Sequence, residues 1–262
     1  MTDTQIRFDD GAAYERMMGI WSGIAGAVFI DWLRAPQGWR WIDVGCGNGA
    51  FSEQLVERCA PAAVLGVDPS QGQIDFARQR PAARLAKFEI GNAMALPFAD
   101  NSYDAATMAL VIFFVPEPAK GVAEMARVVR PGGTVAAYAW DVLGGGFPQE
   151  PLRAELRTIG VESLNPPSVE ASRIEVMRDL WRGAGLEAVE TREITVQRSF
   201  ADFEDFWETT LLGASVAPTI AALSPADRVR VKQQVRTRVP ADATGQVTLS
   251  GRANAVKGRV PG

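Results

Sequence analysis

The residues of this 262-residue chain best suited to bind a nucleotide are a glycine-rich loop and an acid downstream of it. Gly45, Gly47 and Gly49 directly follow a short apolar run. Glycines let the backbone approach a ligand closely at positive φ, and a helix that begins there offers unpaired N–H groups. Asp68 lies 19 residues beyond Gly49, at the end of the next apolar run, where a carboxylate could accept hydrogen bonds from both hydroxyls of a ribose. The pattern predicts a site for an adenosine-containing cofactor.

The loop alone does not specify which cofactor binds. Gly45, Gly47 and Ala50 also fit the G-x-G-x-x-A fingerprint of dinucleotide-binding proteins, so an NAD(P)-dependent oxidoreductase is one alternative. That fingerprint usually opens a chain, whereas about 40 residues precede it here. A non-catalytic adenosine-binding protein of the same fold is a second alternative.

The elements that position these residues alternate between strand and helix. The apolar runs and turn residues predict strands and helices from residue 39 to residue 140, and Tyr103–Phe113 is apolar enough to be a strand that is covered on both faces. The predicted strands are Trp39–Val44, Ala63–Val67, Leu85–Ile90, Tyr103–Phe113 and Thr134–Trp140, with Arg130-Pro131-Gly132-Gly133 as a tight turn before the last. The predicted helices are Ala50–Cys59, Pro69–Gln79 and Lys120–Val129. Repeated strand–helix units imply right-handed crossovers and helices on both faces of a sheet.

The remaining segments extend this pattern at both ends. Residues 11–34 have helical spacing, and the segment after Asp141 predicts four helices and two more strands. The helices are Pro151–Thr158, Ser172–Gly183, Asp202–Leu212 and Pro225–Val239, and the strands are Leu186–Gln197 and Gln246–Val256. We therefore expect an α/β fold with a doubly wound, Rossmann-like, mostly parallel seven-stranded sheet and helical insertions after strands 5 and 6. The expected organisation is one domain over 1–262, with an N-terminal helical cap (1–38), a cofactor-binding core (39–140) and substrate-cap helices with the last two strands (141–262).

Composition excludes several classes of site. The chain has no histidine and two cysteines, Cys46 and Cys59, without metal-binding spacing, so no metal site is predicted. A net charge of −4 argues against a nucleic-acid partner, and the basic residues between Arg228 and Arg238 are expected on a solvated helix surface. The sequence shows neither a signal-peptide pattern nor an apolar run of about 20 residues. We expect a cytoplasmic protein without membrane insertion that acts on a small molecule.

Three later motifs resolve the ambiguity of the glycine loop. Gly91-Asn92-Ala93-Met94-Ala95-Leu96-Pro97-Phe98 follows the third strand, Asn101-Ser102-Tyr103-Asp104 opens the fourth, and Arg130-Pro131-Gly132-Gly133 precedes the fifth. With the loop, they resemble the class I S-adenosylmethionine-dependent methyltransferases, in particular the type 11 small-molecule group that includes the ubiquinone/menaquinone methyltransferases. The resemblance is strong from about residue 39 to residue 140.

The resemblance implies S-adenosylmethionine as the cofactor, S-adenosylhomocysteine as its product and a role for each matching residue. Asp43, with the loop Gly45, Cys46, Gly47 and Gly49, would hold the methionine end, and Asp68 would bind the ribose. Pro69 would lie against the adenine, and Asn92 stands where the family usually has an aspartate that accepts from the adenine amino group. An asparagine still accepts through its side-chain oxygen. Ala93 and Met94 would contact the ring, and Ala109 and Leu110 would lie beside the sulfur.

The implied activity is methyl transfer to O, N or C of a small organic acceptor by direct in-line displacement. If the acceptor must lose a proton, Tyr14 and Asp141 are the candidate catalytic residues, because the chain has no histidine. The segments expected to cap the cofactor carry apolar and aromatic side chains that suit a small, partly apolar acceptor. The predicted acceptor pocket consists of Trp21, Phe113, Phe147, Trp207 and Leu211.

Overall fold

A computed structural model describes residues 15–213 and 216–262, and its centre is one seven-stranded sheet with the strand order β3-β2-β1-β4-β5-β7-β6. The strands are β1 Arg40–Val44, β2 Ala63–Asp68, β3 Ala86–Ile90, β4 Tyr103–Ala109, β5 Val129–Trp140, β6 Glu187–Phe200 and β7 Val247–Arg259. Strands β1 to β5 pair in parallel, and β7 is antiparallel to both of its neighbours. The predicted mostly parallel sheet, with the last two strands joined to it, is confirmed.

Helices cover both faces of the sheet. They are α1 Ile20–Leu33, α2 Ala50–Cys59, α3 Gln71–Ala77, α4 Pro118–Val128, α5 Glu150–Thr158, α6 Ile174–Gly183, α7 Phe203–Thr210, α8 Ala217–Ala222 and α9 Pro225–Arg238. One π turn, Glu15–Gly19, precedes α1. The predicted Ala50–Cys59 helix has the bounds that the sequence indicates, whereas α8 lies in a Gly/Ala/Pro segment for which no helix was predicted.

The core divides into two layers because successive strand residues point to opposite faces. Trp41 of β1 packs with α1, α2 and α3, whereas Ile42 packs with α4 and α6 on the other side. Ala136 and Ala137 are neighbours in β5 and likewise pack on opposite faces, Ala136 in the layer of Trp41 and Ala137 in the layer of Ile42. Trp181 of α6 is fully buried and its indole N–H donates to the Val135 carbonyl at 2.8 Å, which ties the second helical layer to the sheet.

Strand β4 is shorter than the sequence indicates. It ends at Ala109, and Leu110 has a φ of 62°, which breaks the extended backbone. A short 3₁₀ turn over Ile112–Phe114 follows. The prediction of a strand as far as Phe113 was therefore wrong, because an apolar run that is buried as a turn has the same composition as a buried strand.

The Arg130–Gly133 segment is not a separate turn but a bulge inside one continuous strand, β5. The pairing with β4 shifts register between Tyr103 and Ala105. A Cβ at Gly133 would lie 2.6 Å from the Asp104 carbonyl oxygen, so the two backbones approach too closely for a side chain. Arg130 Nε donates to Asp104 Oδ1 at 2.6 Å, which ties the bulge to β4.

Candidate functional site

A cavity of about 790 Å³ lies at the carboxyl ends of β1 to β4. This is the edge where open α/β sheets bind their ligands. Nine of the residues assigned to the cofactor from the sequence line the cavity: Gly45, Cys46, Gly47, Asp68, Pro69, Asn92, Ala93, Ala109 and Leu110. The loops after four neighbouring strands thus bring together residues that are up to 65 positions apart in the chain.

The three glycines of the loop have different structural roles. Gly45, Gly47 and Gly49 have φ values of 78°, 51° and 82°, which side chains rarely adopt. A Cβ at Gly45 would lie 2.4 Å from Val111 Cγ1, and one at Gly49 would lie 3.0 Å from Phe88 Cζ, so both positions are required for packing. A Cβ at Gly47 would meet no atom closer than 4.0 Å. Gly47 is therefore the loop glycine that leaves space for a ligand.

Asp68 connects this loop to the end of β2. Its Oδ2 accepts from the Gly47 N–H at 3.0 Å, and its Oδ1 accepts from the Ser70 N–H at 2.9 Å. Burial raises the pKa of this carboxyl, while the two backbone hydrogen bonds lower it. Each carboxylate oxygen can accept a second hydrogen bond, so the side chain keeps acceptor capacity for a bound hydroxyl.

Asp43 lies beneath the loop and not at the cavity surface. It is fully buried, and its Oδ2 accepts from Ser52 Oγ at 2.7 Å, whereas Oδ1 has no partner. Burial raises its pKa to about 7; the Ser52 hydrogen bond opposes this rise, and the charge of Asp68 adds to it. Asp43 and Gly49, which does not line the cavity either, support the loop from below.

Asn92 and its neighbours form the wall after β3. Asn92 Oδ1 accepts from the Met94 N–H at 2.9 Å, and the Asn92 carbonyl accepts from the Ala95 N–H at 3.0 Å. These bonds fold the segment into a tight turn that exposes Ala93 to the cavity. Met94 does not line the cavity; it packs against the core layer of α4 and α6.

The five residues predicted to form an acceptor pocket do not line this cavity; they pack with the hydrophobic core: Trp21, Phe113, Phe147, Trp207 and Leu211. Trp21 is 3% exposed and meets Trp140 edge-on, with ring centroids 6.3 Å apart. Trp207 stacks on Phe203 at 6.2 Å. Large aromatic side chains gain most by burial between helix and sheet, so these residues stabilise the packing of the helices on the sheet.

Of the two predicted catalytic residues, Asp141 is not among the described residues that line the cavity. Asp141 Oδ2 accepts from Arg252 Nη2 at 2.5 Å and from Nε at 3.0 Å, and Oδ1 accepts from the Gly144 N–H at 3.0 Å. Its carboxylate therefore links β5 to β7. Tyr14 lies outside the described residues.

Sequence reasoning missed one whole wall of the cavity. Ser22 and Gly23 of α1, Gln54 of α2 and Tyr138 of β5 line it beside Phe51. A glutamine and a serine on predicted helices carry no signal that distinguishes them from solvent-facing residues. Only the packing of α1 on α2 brings them to the site.

Charged residues elsewhere are largely paired. Glu204 accepts from both Lys232 and Arg236, and Glu155 accepts from Arg238, so most of the basic residues on α9 belong to intramolecular ion pairs. Within residues 15–213 and 216–262, no group of histidine, cysteine and acidic side chains could hold a metal ion. None of the helices in that part of the chain has the length and apolar character needed to span a membrane.

The segment that carries the cavity loops matches a known protein family. Residues 42–137 match the family model described as a methyltransferase domain. A demethylmenaquinone methyltransferase of Renibacterium salmoninarum is 40% identical over 118 residues, which cover 44% of this chain and 48% of that protein. The chain spans less than half the length of this relative and of two others, from Streptomyces fradiae and Cellvibrio japonicus.

Solved structures show the same fold at low identity. The YcgJ protein of Bacillus subtilis has a TM-score of 0.62 at 17% identity, covering 91% of this chain and 99% of its own. A phosphoethanolamine N-methyltransferase 2 of Haemonchus contortus, solved with S-adenosylhomocysteine, has a TM-score of 0.60 at 18% identity, covering all of this chain and 58% of its own. Residues 42–137 therefore match methyltransferase domains, and the resemblance of this segment to the class I S-adenosylmethionine-dependent methyltransferases is confirmed.

Proposed function

We propose that this chain binds S-adenosylmethionine in the cavity and transfers its methyl group to O, N or C of a small organic acceptor. The observation that carries the proposal is the contact between Gly47 and Asp68 at the cavity edge. Gly47 leaves open space where a side chain would stand, and the Asp68 carboxylate beside it retains acceptor capacity. An adenosyl ligand needs both features, one for close backbone approach and one for its ribose hydroxyls.

The other lining residues fit the remaining parts of the cofactor. Pro69, Asn92 and Ala93 form the wall where an adenine ring would lie, and Ala109 with Leu110 form the end nearest β5. A volume of about 790 Å³ is towards the upper end of the roughly 300–1,000 Å³ typical of ligand pockets, which allows room for an acceptor beside a nucleoside.

The bound cofactor would supply an electrophilic methyl group on a sulfonium. The work left to the protein is orientation, because a nucleophile held in line with the methyl–sulfur bond gains about 7–11 kcal/mol over free encounter. Asp43 and Gly49 would keep the loop in place from below. Because Asp141 is engaged by Arg252, we assign it a structural role and not the role of a base.

Calorimetric titration with S-adenosylhomocysteine and with NADH tests this assignment against the oxidoreductase alternative. We expect S-adenosylhomocysteine to bind and NADH not to compete. Gly47→Val should abolish binding, and Gly38→Val is the matched control, because Gly38 also has a positive φ but has no atom near it and lies outside the cavity. Binding of NADH alone would contradict the proposal. A screen of acceptors with S-adenosylmethionine, read by mass for one added methyl group, then tests transfer.

A further inference from the structure

Two buried oxygen atoms without a hydrogen-bond partner belong to residues that line one wall of the cavity. They are Ser22 Oγ on α1 and Gln54 Oε1 on α2. The other such atoms in the described part of the chain belong to residues that do not line the cavity: Trp41, Asp43, Trp140, Arg153, Ser163 and Asn254. A buried polar atom without a partner is unfavourable, and a pair of them at a cavity wall indicates that a ligand supplies the partner.

The orientation of Gln54 is fixed by its other contact. Its Nε2 donates to the Gly23 carbonyl at 3.0 Å, and since a carbonyl only accepts, the amide nitrogen must be the atom on that side. Oε1 is consequently the unpartnered atom, and it lies over Gly26, where a Cβ would be 2.5 Å from it. Gly26 thus keeps space for an oxygen that can only accept a hydrogen bond.

Tyr138 places a further side-chain oxygen beside Gly26. Its Oη would be 3.2 Å from a Cβ at Gly26 and is 3.4 Å from the Ser22 carbonyl. The ring is held by Phe29 and Phe51, with centroids 4.7 Å and 5.9 Å away. The side-chain oxygens of Gln54 and Tyr138 therefore lie near the same point, and Ser22 of α1 lines the same cavity.

This wall lies at the end of the cavity nearest β4 and β5. Tyr138 pairs in register with Ala109, and its carbonyl accepts from the Leu110 N–H at 2.8 Å. The inference rests on the proposed function, in which Ala109 and Leu110 flank the reacting sulfur. An acceptor molecule held by Ser22, Gln54 and Tyr138 would lie on the methyl side and away from the adenine wall.

The charged side chains that line the cavity restrict the chemical class of acceptor that it can bind. Among the described residues that line it, Asp68 is the only one with a carboxylate, and it sits at the ribose position; none is a lysine or arginine. The wall beside Ser22 and Gln54 continues into the apolar side chains of Phe51 and Leu110. Recognition at this end therefore relies on neutral hydrogen bonds and apolar contact.

We propose that Ser22, Gln54 and Tyr138 form the acceptor subsite and bind a hydroxyl or N–H group of a neutral, partly apolar molecule. Gln54 Oε1 only accepts, so the ligand must donate to it. The Ser22 hydroxyl can donate or accept, whereas the Tyr138 oxygen, which donates its hydrogen to the Ser22 carbonyl, can accept a hydrogen bond from the ligand.

Four related probes test this subsite on the wild-type protein saturated with S-adenosylhomocysteine: naphthol, its methyl ether, naphthoate and naphthylmethylamine. They share one apolar ring system and differ in the group presented to the wall. We expect naphthol to bind roughly 10-fold more tightly than its methyl ether, which has lost the donor, and more tightly than either charged probe. Equal binding of naphthol and its ether, tightest binding of a charged probe, or binding of none would overturn the proposal.

Single substitutions test whether the preference for naphthol over its methyl ether arises from the proposed subsite. Gln54→Met keeps the side-chain length and removes the acceptor, and it should bind naphthol and its ether equally while S-adenosylhomocysteine affinity stays within about two-fold. Ser22→Ala and Tyr138→Phe should reduce the preference in part. The matched control is Gln197→Met, at an exposed glutamine of β6 whose amide reaches Ser250. A preference for naphthol that survives in Gln54→Met would overturn the assignment.

The two proposals fail in different ways. If S-adenosylhomocysteine does not bind the wild-type protein, the proposed function is wrong, and titration of naphthol and its ether into the protein alone still tests the subsite. If S-adenosylhomocysteine binds and the probes show no preference, only the subsite is wrong. Circular dichroism of each variant separates a lost contact from a lost fold.

Discussion

Replacing Asp43 by Asn should make the protein more stable at neutral pH, although Asp43 lies under the glycine loop. The carboxyl is fully buried, and burial raises its pKa from 3.8 to about 7. Below pH 3.8 both the folded and the unfolded chain carry the proton. Between pH 3.8 and about 7 only the folded chain keeps it, so this group makes the free energy of unfolding fall as the pH rises through that window.

The size of the effect follows from the shift. Each unit of pKa difference corresponds to about 1.4 kcal/mol. The rise in the pKa of Asp43 therefore lowers the free energy of unfolding by about 4 kcal/mol above pH 7. Asparagine cannot ionise and can still accept from Ser52. The free energy of unfolding of the variant, relative to that of the wild type, should rise by about 3 kcal/mol from pH 5 to pH 8. This change is smaller than the full effect of about 4 kcal/mol because part of the cost is already present at pH 5.

Urea unfolding followed by tryptophan fluorescence at pH 5 and pH 8 measures this difference. Asp179→Asn, at an exposed position of α6, is the control for the loss of one charge and should change little with pH. If the wild type and Asp43→Asn differ by the same free energy at both pH values, Asp43 is not a neutral buried acid and the reasoning fails.

Three further substitutions have defined outcomes. Asp68→Ala should weaken S-adenosylhomocysteine binding tenfold or more in calorimetry, because the ribose hydroxyls lose charge-assisted bonds; unchanged affinity would remove Asp68 from the site. Gly45→Ala should lower the free energy of unfolding by about 2 kcal/mol, since its Cβ would lie 2.4 Å from Val111 Cγ1, and Val111→Ala in the same chain should recover part of the loss in urea titrations. Asp141→Asn should cost about 2 kcal/mol in thermal unfolding through the weakened Arg252 contact, and an unaltered melting temperature would contradict the structural role.

The sequence predicts the sheet and the wall proposed for the cofactor because both depend on local patterns. The Ala50–Cys59 helix starts directly after Gly49, whose φ is positive, and ends at Ala60, which is left-handed. Apolar runs mark the strands, and short loops after four of them lead to one edge. Asp68 could be assigned from its position alone, since the end of a parallel strand determines where its side chain lies.

The proposed acceptor subsite could not be predicted because it depends on contacts between distant segments. Gln54 and Ser22 are separated by 32 positions, and nothing local distinguishes them from surface residues. Aromatic residues were a misleading signal, since Trp21 and Trp207 gain more from burial than from facing a ligand. Asp141 follows directly after β5, but its partner Arg252 is 111 positions away, so its pairing could not be inferred.

The position of β7 between β5 and β6 makes the sheet depend on its final strand. Among the described residues, β6 pairs with β7 and with no other strand, and β7 spans Val247–Arg259. During synthesis, β6 therefore has no strand to pair with until residues 247–259 have left the ribosome. Until then β5 presents an open edge of the kind that pairs with other chains, so aggregation and chaperone capture should be greatest for nascent chains stalled before residue 247.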